Sequence, residues 1–251
     1  MKQTLLEIVQ DILNDMDADE VNSISDTVEA TQVAQIVKTC YYEMLSNRNW
    51  PHMRKLIQLE ASGTTTKPNY LQVPENIKEI EMIRYQGQKI DDANIRYKDL
   101  KYKYPDEFLA ITSQRNSSNS NVQSVTDFGG STLFILTDVA PTYWTSFDDK
   151  YVVTDSYDSA QDDTLKKSKT QTLAYVYPDW EMEDDFVPDF PAEAFSALTE
   201  EAKSTAFNSV KQLVNQKAEQ KASRQARWLS RKAWQAKGGV RYADYGRKSR
   251  K

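Results

Sequence analysis

The stretch DTVEATQVAQIVKTCYYEMLSNRNWPH, residues 26–52, is the last helical segment before the spacing of apolar residues changes to that of strands. Apolar residues recur at three- and four-residue spacing, which predicts an amphipathic helix with one face in a core. The apolar positions of that face are Val33, Ile36, Val37, Cys40, Tyr41, Met44 and Leu45. Asp26 and Glu29 have the spacing of a capping box, so they predict the start of this helix, and Pro51 predicts its end.

The segment before this helix predicts another one. Residues 4–16 place apolar side chains on one helical face, at Leu5, Ile8, Val9, Ile12, Leu13 and Met16. Two amphipathic helices in the first 52 residues therefore indicate the beginning of a helical bundle.

After Pro51 the apolar pattern alternates with a period of two, which is typical of strands. The runs are KLIQLEA (55–61), NYLQVP (69–74), KEIEMIRYQGQKI (78–90), STLFILTD (131–138), KYVVTDSYD (150–158) and QTLAYVY (171–177). Among them, residues 104–116 predict one short helix, with Pro105 in its first turn. The polar residues 116–124 predict an exposed loop.

Helical periodicity returns after residues 185–191, DFVPDFP. The apolar stripe consists of Phe195, Leu198, Ala202, Ala206, Val210, Leu213 and Val214, continued by Ala218, Ala222, Ala226, Leu229, Ala233 and Ala236. Small residues every four positions allow close helix packing, so this segment predicts a long helix or a helix pair that ends at Gly238 and Gly239.

The predicted fold class is α+β, mainly α. The N- and C-terminal helices form a helical bundle, and a small β-rich subdomain is inserted between them, with an extended C-terminal tail. The predicted regions are the N-terminal helices (1–52), the β-rich subdomain (53–187), the long C-terminal helices (188–238) and the basic docking tail (239–251).

Charge is separated along the chain. Residues 217–251 contain twelve Lys or Arg against Glu219 and Asp244, a net charge of +10, and the total of −5 leaves −15 for residues 1–216. Trp228, Trp234 and Tyr242 are among the aromatic residues between these cations. Arg and aromatic side chains bind nucleic acid and proteins alike, so composition leaves both partners open. The alanine stripe and the lack of a nucleic-acid motif favour docking to a protein.

The sequence contains few candidates for catalytic residues. His52 is the single histidine and Cys40 the single cysteine, which excludes an internal disulfide. The acidic pairs Asp148–Asp149 and Asp162–Asp163 and the acidic run 179–189 lack EF-hand spacing, and no phosphate-binding glycine loop is present. We therefore predict no catalytic residue, no metal site and no cofactor. A hydrolase or lyase in the β-rich region is a weaker alternative for which no residue can be named.

Two kinds of targeting segment are missing from the sequence pattern. No run of about 18 apolar residues predicts a membrane span. The N-terminal MKQTLLEIVQDILNDMD reads as an acidic amphipathic helix without the features of a secretory signal, so we expect a cytosolic protein.

The order of these elements resembles the head-to-tail adaptor proteins of short-tailed phages, the family often called tail tubular protein A. The likeness spans nearly the whole chain. It rests on LLEIVQDILNDM, VEATQVAQIVKTCYYEMLSNRNWP, VPENIKEIEMIRYQG, YPDEFL, DDFVPDFPAEAFSALTEEAKSTAFNSVKQ and the RKAW and YGR endings. Each piece is a degenerate pattern, and their order carries the resemblance.

This resemblance implies a structural virion protein without catalytic residues. It implies a homo-oligomeric, dodecameric ring between the portal protein and the tail nozzle protein, assembled in the host cytoplasm and located at the head–tail junction. Double-stranded DNA would pass through it during genome ejection without specific binding, and no membrane is involved. The expected portal-docking residues are Arg227, Trp228, Arg231, Lys232, Trp234, Arg241, Tyr242, Tyr245, Arg247, Lys248, Arg250 and Lys251. The alternative is a nucleic-acid-binding protein that uses the same basic segment.

Overall fold

The computed structural model of this chain describes residues 2–87, 95–213 and 215–232. They form two compact units. A helical unit contains the described parts of Met1–His52 and Pro178–Lys251, and a β-rich unit contains those of Met53–Tyr177. The sequence prediction had placed residues 178–187 in the β-rich region, whereas here they belong to the helical unit. None of the described helices is long and apolar enough to cross a membrane.

The described residues contain five α-helices and ten strands. Helices α1 to α5 span Leu5–Asp15, Val28–Ser46, Pro105–Ser113, Phe195–Val210 and Gln216–Lys232. Strands β1 to β10 span Arg54–Ile57, Glu60–Ala61, Tyr70–Gln72, Ile77–Gln86, Tyr97–Tyr102, Val122–Thr126, Thr132–Leu136, Tyr143–Thr145, Tyr151–Thr154 and Thr170–Val176.

Helix α1 begins with a capping box that the sequence analysis did not identify. The Glu7 amide donates to Thr4 Oγ1 at 3.2 Å, and the Thr4 amide donates to Glu7 Oε2 at 2.9 Å. This reciprocal pair satisfies donors that a helix N-terminus otherwise leaves unpaired. All six apolar positions predicted for this helix are buried.

Helix α2 starts one residue later than the proposed capping box requires. Thr27 is its N-cap, and its hydroxyl accepts from the Ala30 amide at 3.0 Å. Asp26 instead accepts from the amides of Asn22 and Ser23, each at 2.8 Å. The capping box predicted at Asp26 was therefore wrong, because this carboxylate stabilises the preceding turn.

The chain returns from the β-rich unit to complete the helical unit. The amides of Leu5 and Leu6, in the first turn of α1, donate to the carbonyls of Phe186 at 2.7 Å and Asp184 at 3.1 Å. The Asp184 carboxylate accepts from the Ile24 amide at 2.8 Å. These contacts join segments about 160 or more residues apart in the sequence, so the helical unit is discontinuous in the chain.

An aromatic cluster surrounds this returning segment. The Phe190 ring lies 4.7 Å from Trp50 and 5.6 Å from Tyr41, and the Tyr41 hydroxyl donates to the Asp189 carbonyl at 3.1 Å. Phe190, Tyr41 and Trp50 are all buried. Aromatic burial therefore stabilises the segment that also caps α1.

The β-rich unit contains an eight-stranded sheet in the order β1-β10-β4-β5-β8-β9-β3-β2, and a separate β6–β7 pair. The sheet is mixed, because β5 and β8 pair in parallel while its other neighbours are antiparallel. Its hydrophobic core includes Leu71, Ile83, Phe108 and Val152.

The prediction of a mainly α fold with a small β subdomain was wrong. The β-rich unit contains more strand than the periodicity indicated because β5 and β8 of the sheet, and β6 of the separate pair, were missed. Strand β5 reads YKDLKY and buries Leu100 alone, so its charged positions conceal the alternation. Strand β6 includes part of the segment 116–124 that was predicted as a loop, and it buries Val125 alone.

A buried ion pair connects several segments of the β-rich unit. Arg115 Nη2 lies 3.0 Å from Asp155 Oδ2, and both side chains are largely buried. The other carboxylate oxygen accepts from the amides of Thr142 at 3.0 Å and Tyr143 at 2.8 Å, and Arg115 also donates to the Phe134 carbonyl. Asp155 therefore fixes the start of β8 against α3 and β7.

Replacing Asp155→Ala is expected to destabilise the protein by about 3–5 kcal/mol, because the buried Arg115 guanidinium and two amides lose their acceptor. Asp99→Ala is the control, since it breaks an exposed pair with Arg84 and should cost at most about 1 kcal/mol. Urea unfolding followed by circular dichroism measures both. Equal costs for the two variants would contradict this role of Asp155.

Candidate docking surface

Helix α5 packs on α4 through part of the predicted alanine stripe, whereas Ala226, which was also predicted to lie on this face, is exposed. Ala218, Ala222 and Leu229 are buried. Gln225, which lies between Ala222 and Leu229 in the sequence, is half-buried. These residues recur at four-, three- and four-residue spacing, so they share one face of the helix. The small side chains let α4 and α5 approach closely, which leaves the other faces of α5 to solvent.

The connection between α4 and α5 makes them a helix pair. Gln212 has a φ of 54°, the left-handed conformation that ends a helix, and its backbone redirects the chain. The Asn215 side chain then accepts from the Ala218 amide at 3.1 Å, which caps the start of α5. Leu213, predicted as part of the apolar stripe, is instead exposed in this connection.

The exposed side of α5 presents two arginines and a tryptophan. Arg224, Arg227 and Trp228 are separated by three and four residues and therefore share one face. Trp228 is 47% exposed, and the arginines form no ion pair with any described residue. Together with Gln216, Glu219, Gln220 and Ser223 they line a shallow hollow. We call Arg224, Arg227 and Trp228 the α5 patch.

The rest of the helical unit is acidic. Residues 53–177 contain fifteen Lys or Arg against seventeen Asp or Glu, a net charge of −2, so of the −15 in residues 1–216 the helical unit holds −13. One contact links the opposite charges, because Lys221 Nζ of α5 lies 2.8 Å from Glu200 Oε1 of α4. Residues 217–232 carry six Lys or Arg against Glu219, a net charge of +5, and they belong to the same unit as most of the negative charge.

The expected portal-docking residues divide into three groups. Arg227 and Trp228 are exposed on α5, as docking requires. Arg231 and Lys232 lie in its last turn. The remaining residues, Trp234, Arg241, Tyr242, Tyr245, Arg247, Lys248, Arg250 and Lys251, lie outside the described part of the chain. Arg224 was not among the expected residues, although its three-residue spacing from Arg227 indicates a shared face.

Cys40 is placed as a core residue. It is buried in α2, with its Sγ 3.7 Å from the Thr205 hydroxyl. Burial, together with the nearby Glu43 and Glu201 carboxylates, raises the pKa of this thiol to about 11. The thiolate is the nucleophilic form, so Cys40 is unsuited to covalent catalysis at neutral pH.

His52 and the acidic pairs have structural surroundings. The His52 ring lies 5.9 Å from Trp50 and 5.8 Å from Phe190, within the aromatic cluster. Asp148 accepts from two amides in its own turn, and Asp162 pairs with Lys169. Within residues 2–87, 95–213 and 215–232, no group of three His, Cys, Asp or Glu side chains is arranged to hold a metal ion.

No protein-family model matches the chain, and a search of curated protein sequences returns no match. Its function is therefore inferred from the chemistry of its surfaces.

Carboxylates meet where α2, α4 and α5 approach each other. Partial burial raises the pKa of Glu201, and repulsion from Glu43 and Glu219 raises it further. A raised folded-state pKa means that the folded protein binds this proton more tightly than the unfolded chain. The stabilisation from this proton is complete below the pKa of Glu201 in the unfolded chain, and it is lost as the pH rises through the pKa of Glu201 in the folded protein. At neutral pH, charged Glu201 therefore destabilises the helix pair.

Glu201→Gln should therefore increase the free energy of unfolding at pH 7 but leave it nearly unchanged below about pH 4, where Glu201 is protonated in both states. Urea unfolding at the two pH values measures this difference. Glu183→Gln, which removes an exposed carboxylate elsewhere on the unit, is the matched control. A gain for Glu201→Gln that is the same at both pH values would contradict the repulsion.

Proposed function

We propose that the chain is a structural virion protein, a head-to-tail adaptor of short-tailed bacteriophages that joins the portal to the tail nozzle. The observation that carries the proposal is the α5 patch, with its exposed tryptophan and two arginines at the base of a +10 segment. Trp and Arg are the residues that most often anchor protein interfaces. The sequence resemblance to adaptor proteins assigns the partner as the portal.

Exposed aromatic side chains on the β-rich unit support assembly into a ring. Tyr104 is 65% exposed, and its ring contacts Tyr102 at 5.4 Å, which in turn packs on Trp144 at 4.9 Å. Elsewhere on this unit, Phe128 is 57% exposed and stacks on Tyr151 at 4.6 Å. Two separate apolar patches suit a heterologous contact, in which each copy binds two neighbours through different surfaces.

The charge distribution supports a channel that passes DNA without retaining it. DNA binds proteins mainly through cations that displace its counterions. The β-rich unit carries −2 and the helical unit outside residues 217–251 carries −13, so neither surface is suited to holding phosphates. The acidity expected of a conduit wall belongs to the helical unit.

The alternative function, nucleic-acid binding, is favoured by the arginines of the α5 patch, which form no ion pair with any described residue, although Glu193 and Glu219 line the same hollows. It is disfavoured by the acidity of the same unit. The two functions differ in salt dependence, because a protein that neutralises many phosphates loses affinity steeply as salt rises.

Two variants test the proposal by binding to immobilised portal rings of the cognate phage. Deletion of residues 238–251 should leave a folded protein that no longer binds. Replacement of Arg224, Arg227 and Trp228 by Ala should weaken binding about 30-fold or more, the effect of losing an interface anchor worth about 2 kcal/mol.

The matched control replaces Lys55, Lys101 and Phe147 of the β-rich unit by Ala, which removes the same number of exposed cations and aromatic rings from outside both aromatic patches. This control should bind the portal rings normally. Unchanged portal binding by both test variants, with tail-dependent binding to duplex DNA that falls steeply near 0.15 M salt, would replace the adaptor by the nucleic-acid alternative.

A further inference from the structure

The segment that precedes α4 forms an acidic surface on the helical unit. Residues 179–189 contain six Asp or Glu and no Lys or Arg. Glu181 and Asp185 are exposed, and neither forms an ion pair with any residue that the structure describes. Two apolar side chains of the same segment are also exposed, Met182 at 39% and Val187 at 40%. We call Glu181, Met182, Asp185 and Val187 the acidic ridge.

The acidic ridge is held in place by the aromatic residues beneath it. The Trp180 ring lies 4.9 Å from Phe186 and 5.1 Å from Tyr41, and Trp180 Nε1 donates to Met182 Sδ at 3.3 Å. The backbone of this segment also accepts two hydrogen bonds from the first turn of α1. A surface that is already ordered loses little conformational freedom when a partner binds. The acidic ridge is therefore suited to a contact with another protein surface.

The α5 patch has the opposite charge. Arg224 and Arg227 are exposed, and within residues 2–87, 95–213 and 215–232 they form no ion pair. The carboxylates of Glu193 and Glu219 line the adjoining hollows. Trp228, between the two hollows, is 47% exposed. Arginine binds carboxylates through paired hydrogen bonds, and methionine packs well on aromatic rings. A surface with two carboxylates and an exposed methionine therefore suits this patch.

We propose that, in the free protein, the acidic ridge of one copy binds the α5 patch of a second copy. The two surfaces match in charge and in apolar character, and both lie on the helical unit, so every copy carries both. Because the surfaces differ, the contact is heterologous. Exposed ion pairs are weak and are screened by salt, so this association is reversible and decreases as salt rises.

This contact would regulate the proposed function, on which it rests in one respect: the α5 patch is taken as the portal-docking surface. A second copy bound to the patch would then cover it until the portal displaces that copy. Copies that meet away from the portal would therefore dock more slowly at high protein concentration.

Sedimentation velocity over a series of concentrations of the full chain, without portal, tests the proposal. The ridge variant, Glu181→Lys with Asp185→Lys, should raise the apparent dissociation constant of self-association about tenfold or more, because like charges then face each other. The patch variant, Arg224→Glu with Arg227→Glu, should have the same effect for the same reason.

The matched control is Glu75→Lys with Asp163→Lys. It makes the same change of charge as the ridge variant, but at two exposed residues of the β-rich unit that form no ion pair with any described residue. The control should associate as the unmodified chain does. A control that weakens association as much as the ridge variant would overturn the proposal, because net charge and not the acidic ridge would then decide association.

A mixture of the ridge variant and the patch variant gives the sharpest result. Each arginine patch then meets an unmodified acidic ridge, and each reversed patch meets a reversed ridge. Association should return to nearly the normal dissociation constant, which variants that fail to fold could not achieve.

Three results would overturn the proposal: an unmodified chain that stays monomeric, a reversed variant that associates normally, or a mixture that does not associate. The measurement contains no portal, so it does not depend on the adaptor function. Binding of the ridge variant to portal rings tests that function separately, because its α5 patch is unchanged. The two failures are therefore distinguishable.

Discussion

The backbone amides in the first turn of α1 donate hydrogen bonds to a segment that follows the β-rich unit in the sequence. A helix leaves its first amides without intrahelical acceptors. Here Leu5 and Leu6 donate to carbonyls of Phe186 and Asp184, while Glu7 donates to Thr4 within the capping box. The helical unit therefore depends on residues that precede the β-rich unit and on residues that follow it. Helices α4 and α5 come after these contacts in the sequence.

The contacts between α1 and residues 184–186 belong to a unit that contains both acidic and basic parts of the chain. The helical unit combines −13 from residues 1–52 and 178–216 with +5 from the described residues 217–232, whereas the β-rich unit is nearly neutral. Lys221 and Glu200 make a direct contact between the two signs. The charges that the sequence separates, a basic C-terminal segment after an acidic body, therefore meet within one unit over the described residues 217–232.

The helices were predictable from sequence because their buried positions recur with a local helical periodicity. The apolar positions of α1 and the Ala218–Ala222 spacing of α5 follow from periodicity alone. The β-rich unit was underestimated because β5 buries Leu100 among exposed Lys and Asp, and its identity depends on pairing with β4 and β8. The Arg115–Asp155 pair and the hydrogen bonds from the first turn of α1 to Phe186 and Asp184 join residues far apart in sequence, and no local pattern reveals them.

The mass of the purified chain, alone and mixed with portal rings of the cognate phage, tests the adaptor function most directly. Native mass spectrometry reports the number of copies in each state. The account predicts that the chain adds to each portal ring as a complete dodecameric ring and that removing residues 238–251 abolishes the added mass. A portal ring whose mass does not change, or a full ring added by the truncated chain, would contradict it.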